Sequence, residues 1–258
     1  MILLLALLSM ADEFEEAADK IKFPPDEVLR EWSMKGETQR KLVNLITDRG
    51  RWAKAFETIQ KKLALGPGKI DIDVVFHESD EKRLADSKGR FGFGTVRFNM
   101  KLLVPHQKKM DDIELERASG KLAPIIVPGQ GLDGIMTHEL THVLSGPCDE
   151  SWVAEGLATY AAGEEYFLYA FNNRGGRVEA IDRPLSDLDA YPRGLSFFRW
   201  MEKEHGADRV RDFAVRAASG SEKTKEIATD VLGSTWEHIL LREKDWSTEY
   251  LAGFKTIR

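Results

Sequence analysis

Two histidines four residues apart are the residues of this sequence whose type and spacing most directly indicate chemistry. They belong to the run His138-Glu139-Leu140-Thr141-His142. On a helix, positions four residues apart lie on one face, so both imidazoles reach a single metal ion. Glu139 lies at an adjoining edge of that face, where its carboxylate accepts a proton from a metal-activated water without being a ligand. The run therefore predicts a metal-dependent hydrolytic centre.

A second helix is expected to supply a third ligand, Glu155. Gly146-Pro147 predicts the end of the first helix, and Asp149 or Ser151 is expected to cap the second. His142 lies about one turn before the loop and Glu155 about one turn after it, so an antiparallel hairpin sets them level. Two imidazoles and one carboxylate leave the fourth position of a zinc ion open to water, which is typical of catalytic zinc.

Together with Trp152-Val153-Ala154-Glu155-Gly156-Leu157-Ala158, the histidine run resembles the gluzincin zinc metallopeptidases, in particular the short peptidase MA-like families. The similarity extends less sharply over about 120 residues of the C-terminal part. It implies a zincin-like helical lobe, a Zn²⁺ cofactor held by His138, His142 and Glu155, and Glu139 as the catalytic base. It also implies Tyr191 as a donor to the oxyanion of the reaction, although Tyr191 precedes Pro192 and a loop end is the alternative.

The chain departs from these relatives at two points. Thr159 stands one turn after the third ligand, where relatives carry a carboxylate or amide that orients a ligand histidine. The Gly-x-Met-Glu-Asn element of the large aminopeptidases is absent from the sequence. The metzincin pattern does not fit either, because it needs glycine at position 145 and histidine at 148, where this chain has Ser145 and Cys148. A Cys148 thiolate is a chemically possible ligand, but Glu155 is preferred.

The sequence therefore predicts a zinc-dependent peptidase whose partner is a peptide or protein substrate. Two alternatives remain: a catalytically inactive zincin-like interaction module, and a zinc hydrolase of a non-peptide amide or ester. Oligomeric state is not predicted. The histidines outside the motif are expected to be surface or structural residues; they are His77, His106, His205 and His238.

The charge balance argues against nucleic acid as a partner. The net charge is −6 and both signs are interspersed, so no basic stripe is offered to phosphates. The hydrophobic and charged fractions, 42% and 31%, are those of an ordinary globular protein. With one cysteine, an internal disulfide is excluded.

The first eleven residues are expected to be the remnant of a secretory signal. An apolar run at residues 2–8 is followed by Ser9-Met10-Ala11, which resembles a signal-peptidase site. The run is too short to span a bilayer, and no integral membrane span is predicted. Export to the periplasm or outside the cell follows from this pattern. The alternative is an apolar first helical turn in a cytoplasmic protein.

The pattern of apolar residues predicts an α+β fold in which a small mixed sheet packs beside a predominantly helical part. Residues 12–65 are predicted to be helical, with a break at Pro24-Pro25, and residues 66–131 are predicted to form a small sheet region. Strands are expected around Ile70, Ile72 and Val74, at 91–98 and at 122–127, and the last of these is either an edge that binds substrate or a core strand. Residues 132–258 form the helical metallopeptidase region, with helices at 132–145, 151–170, 194–205, 207–218, 221–231 and 234–245.

Overall fold

The structure is a computed structural model that describes residues 12–121, 129, 131–179, 181–183 and 185–254. The proposed signal segment at 1–11 and the proposed strand at 122–127 lie outside these residues. Backbone contacts divide the chain into two compact units, Met1–Thr58 with Pro67–Leu144 and Ile59–Gly66 with Ser145–Arg258. The division falls after Leu144, so the helix with the histidine run belongs to the same unit as the sheet.

The first unit combines helices with a three-stranded sheet. Its helices are α1 at residues 12–19, α2 (Asp26–Met34), α3 (Glu37–Ile46), the first part of α4 (Arg49–Leu63), α5 (Met100–Ala118) and α6 (Leu132–Leu144). Its strands are β1 (Asp71–His77), β2 (Ala85–Arg90) and β3 (Phe93–Asn99). The strand order is β1-β3-β2, with β1 parallel and β2 antiparallel to β3. The sheet is therefore mixed, as expected.

One face of this sheet is apolar and carries the core of the first unit. Alternate residues of β1 point into it, and the pairing register places Val74 beside Val96 and Phe76 beside Phe98. The Phe98 ring also meets the fully buried Trp52 of α4 edge-on, with ring centroids 6.4 Å apart. Helix α6 packs against β2 and β3. The histidine run is therefore held by the sheet.

The second unit is helical in its described residues. It contains the last turn of α4 and the helices α7 (Ser151–Ala162), α8 (Tyr166–Asn173), α9 (Asp187–His205), α10 (Ala207–Ser219), α11 (Thr224–Leu232) and α12 (Trp236–Ala252). Helix α9 is the centre of this unit, because α7, α8, α10 and α12 all pack against it. Its buried side chains include Leu195, Phe197, Phe198 and Met201. The α+β prediction is confirmed.

Several predicted boundaries were wrong for identifiable reasons. The helix expected at 151–170 ends at Ala162, because Gly163 adopts a left-handed conformation and closes α7. Helix α9 starts at Asp187 instead of residue 194, so it contains Pro192. Proline has no N–H, so the carbonyl four residues earlier in the helix lacks its usual donor. Here that carbonyl belongs to Leu188, and it accepts a hydrogen bond from the Arg174 side chain at 2.8 Å.

The predicted cap of α7 was also wrong. The residue before α7 is Glu150, and no side chain caps this helix. The Asp149 carboxylate instead accepts hydrogen bonds from the backbone N–H of Thr224, at 3.1 Å, and from the Thr224 hydroxyl. Asp149 therefore stabilises the start of α11. None of the helices in the described ranges is both long and apolar enough to cross a membrane.

Candidate metal centre

Helix α6 forms where the histidine run predicted a helix, and it ends at Leu144, two residues before Gly146-Pro147. Its surroundings bury it almost completely. Within the run, His138 is 6% exposed and Glu139 is 8% exposed, while His142 is half-buried. The amide of Gly92 donates to the carbonyl of Val143 at 2.9 Å and so satisfies one of the carbonyls at the C-terminal end of the helix.

The two histidine side chains point at the same place. The Nε2 atoms of His138 and His142 lie 3.1 Å apart. Two nitrogens bound at about 2.0–2.1 Å to one tetrahedral zinc would lie about 3.3 Å apart. The observed separation agrees with this value to within a few tenths of an ångström, so both imidazoles are placed to share one ion.

Glu155 is the third member of a group of side chains that could hold a metal ion. His138, His142 and Glu155 each offer one ligand atom, and these atoms all lie within 4.8 Å of one another. A search of the described residues for three or more His, Cys, Asp or Glu side chains that are close enough to hold a metal finds this group. Two imidazoles and one carboxylate are a donor set that zinc accepts, and they leave a coordination position for water or substrate. The residues present therefore fit the ion that the sequence predicted.

Glu155 is positioned by a close approach of two helices within the second unit. Gly156, the next residue along α7, lies against Gly194 of α9, and a Cβ atom at Gly156 would come within 2.7 Å of the Gly194 Cα. Side chains at both positions would push these helices apart. The glycine pair is a determinant of the site that spacing along the sequence could not show.

Glu139 has a hydrogen-bond partner that the sequence did not predict. The hydroxyl of Ser87, on β2, donates to Glu139 Oε2 at 2.8 Å. The sequence of β2 is polar and lacks the alternation that marks a strand, so the sequence did not indicate this contact. The carboxylate therefore keeps Oε1 as a second oxygen that can accept a proton.

Tyr191 lies on α9, one turn before Gly194, and its ring stacks on Phe167 with centroids 4.6 Å apart. The expected alternative, a tyrosine that ends a loop, is wrong because residue 191 is inside a helix. Its part in the reaction stays a prediction. Thr159 donates to the backbone carbonyls of Glu155 and Gly156, at 2.8 and 3.1 Å, and stabilises its own helix.

Cys148 is not a member of the ligand group. Burial, and to a lesser degree the neighbouring Asp149 carboxylate, raise the pKa of its thiol to about 11. The group that could hold a metal contains Glu155, which agrees with its choice as the third ligand. Among the other histidines, His205 packs edge-on against Trp200, at 5.2 Å between ring centroids, as a structural residue would.

Comparison of the chain with protein-family models, with curated proteins and with solved structures found no match in any of the three. A function for this chain is therefore inferred from the geometry of its own residues.

Proposed function

We propose that this chain is a zinc-dependent peptidase of the gluzincin kind, with His138, His142 and Glu155 as ligands and Glu139 as the catalytic base. The observation that carries the proposal is the convergence of three ligand atoms within 4.8 Å of one another. A structural zinc site is normally closed by four protein ligands. A set of three favours catalysis because it leaves one coordination position open.

Zinc and Glu139 would have separate roles in peptide hydrolysis. When bound, Zn²⁺ supplies a positive charge that makes a water acidic near neutral pH. Glu139 would accept a proton from the attacking water as the water oxygen bonds to the peptide carbonyl carbon, and would return that proton to the leaving nitrogen as the C–N bond breaks. The low exposure of Glu139, 8%, limits the access of bulk water to its carboxylate.

Tyr191 is proposed as the donor that stabilises the negative oxygen formed on the carbonyl carbon. Its support is its place on α9, one turn from the glycine contact that sets the position of Glu155. A phenol hydroxyl is a suitable donor for such an oxygen. In keeping with a secondary role, Tyr191→Phe should lower kcat without removing bound zinc.

The test is cleavage of a diverse peptide library by zinc-loaded protein and by its Glu139→Gln variant. Glutamine keeps the shape of the side chain but cannot accept the proton, so we expect zinc to be retained and kcat to fall by about 10²–10⁴-fold. Glu114→Gln, on the exposed side of α5, is the matched control and should cleave like the parent. Equal cleavage by the parent and by Glu139→Gln would refute the proposed role. Cleavage of ester substrates alone would favour the non-peptide hydrolase.

A further inference from the structure

Ser87 is a hydroxyl residue in an otherwise apolar row of the sheet. Through the pairing register, Ser87 lies beside Val96, which lies beside Val74. Both valines are buried, with exposed fractions of 0% and 3%. A hydroxyl on this face needs a hydrogen-bond partner, and its partner is Glu139 Oε2 at 2.8 Å.

This contact differs from the contacts of the helical serines of the first unit. The hydroxyls of Ser33 and Ser119 donate to backbone carbonyls three or four residues earlier on their own helices. Ser87 instead reaches a side-chain carboxylate 52 residues away on another element. A hydrogen bond to a carboxylate is stronger than one between neutral groups. The contact therefore constrains the orientation of Glu139.

A second contact fixes β2 along α6. The amide of Gly92, in the turn between β2 and β3, donates to the carbonyl of Val143 at 2.9 Å. Glu139 and Val143 are four residues apart, which is about 6 Å along a helix. Two anchors at this spacing prevent the strand from sliding along the helix, so Ser87 stays opposite Glu139.

We propose that Ser87 is a positioning residue that holds Oε2 of Glu139, so that Oε1 is the oxygen that exchanges the proton with water. This inference rests on the proposed function and assigns Ser87 no contact with metal or substrate. Loss of the hydroxyl would let the Glu139 carboxylate rotate between orientations. Proton transfer requires hydrogen-bond distance and alignment, so a rotating carboxylate is a poorer base.

Kinetics of four variants test this role. Ser87→Ala should lower kcat by about 10- to 100-fold, the usual effect of losing a supporting hydrogen bond at a metal site, with KM and zinc affinity little changed. Ser87→Thr keeps the donor and should restore most of kcat. Ser87→Cys, a weaker donor, should be intermediate, and it keeps the test valid if the alanine variant does not fold. Ser79→Ala is the control, because the Ser79 hydroxyl accepts a hydrogen bond from the side-chain amide of Asn99, the last residue of β3, at 3.2 Å.

A second readout needs neither zinc nor activity. In zinc-free protein, the ¹³C carboxyl resonance of Glu139, assigned by its loss in Glu139→Gln, should shift in Ser87→Ala and stay in place in Ser79→Ala. If that resonance and kcat are both unchanged in Ser87→Ala, the positioning role is refuted while the proposed function stands. A fall in zinc affinity that accounts for the loss of activity would also refute it. If the parent protein cleaves nothing, the proposed function and this role fail together.

Discussion

Replacing Gly156 by alanine tests how the protein holds Glu155 in place. A Cβ at this position would lie 2.7 Å from the Gly194 Cα, whereas non-bonded carbons settle at about 3.5–4.0 Å. Helices α7 and α9 must therefore separate by about 1 Å. Metal–ligand distances tolerate only about 0.2 Å, and Glu155 is the adjacent residue. We expect Gly156→Ala to weaken zinc binding as well as the fold.

The expected loss of stability follows from two opposing effects. Overpacking costs about 1–3 kcal/mol, and a contact between two backbones, which cannot rotate away, belongs to the upper half of that range. In the opposite direction, replacing glycine by alanine within a helix stabilises the folded state by about 1 kcal/mol, because alanine has the higher helix propensity. The free energy of unfolding should therefore fall by about 1–2 kcal/mol, and zinc affinity by about 10-fold or more.

Urea unfolding and competition with a chromophoric zinc chelator measure the two effects. Gly50→Ala in α4 is the matched control, because its Cβ would meet one side-chain oxygen, Asp48 Oδ1, at 3.2 Å and no backbone of another segment. That variant should be as stable as the parent, or more stable by up to about 1 kcal/mol. Parent-like unfolding and parent-like zinc affinity in Gly156→Ala would show that the close approach does not set the position of Glu155.

Two further predictions concern the second unit. Arg193 and Glu243 form an ion pair at 2.8 Å with side-chain exposures of 1% and 0%, so Arg193→Met should lower the free energy of unfolding by about 3–5 kcal/mol. A urea midpoint equal to that of the parent would contradict this, and Arg193→Met with Glu243→Leu should recover most of the loss. Burial raises the pKa of the Cys148 thiol to about 11, so less of it is thiolate at pH 8 than in the unfolded chain. Iodoacetamide should therefore label it more than about 100-fold faster in urea than in the folded protein, and equal rates would contradict the burial.

Local spacing was enough to predict the helix with the histidine run and the fold class. The separation of His138 and His142 is set by helix periodicity, and Gly146-Pro147 marks where α6 ends. The alternation of Ile72 and Val74 likewise predicted β1. These features depend on residues close together in the sequence.

The parts that sequence reasoning missed depend on contacts between distant segments. Strand β2, Ala-Asp-Ser-Lys-Gly-Arg, has no apolar alternation because it is an edge strand with half of its residues exposed, so Ser87 was not identified. Helix α5 was missed because Pro105 and many charged residues obscure its period. The start of α9 was placed too late because Pro192 was interpreted as a loop signal, whereas Arg174 compensates for the proline.

The central claim is that His138, His142 and Glu155 hold one zinc ion through nitrogen and oxygen atoms. Zinc K-edge X-ray absorption on protein loaded with one equivalent of Zn²⁺ tests it directly. We expect a four-coordinate first shell of nitrogen and oxygen at about 2.0–2.1 Å with two imidazoles, and loss of that signal in Glu155→Ala. A sulfur neighbour at about 2.3 Å, or the same spectrum in Glu155→Ala, would contradict the claim.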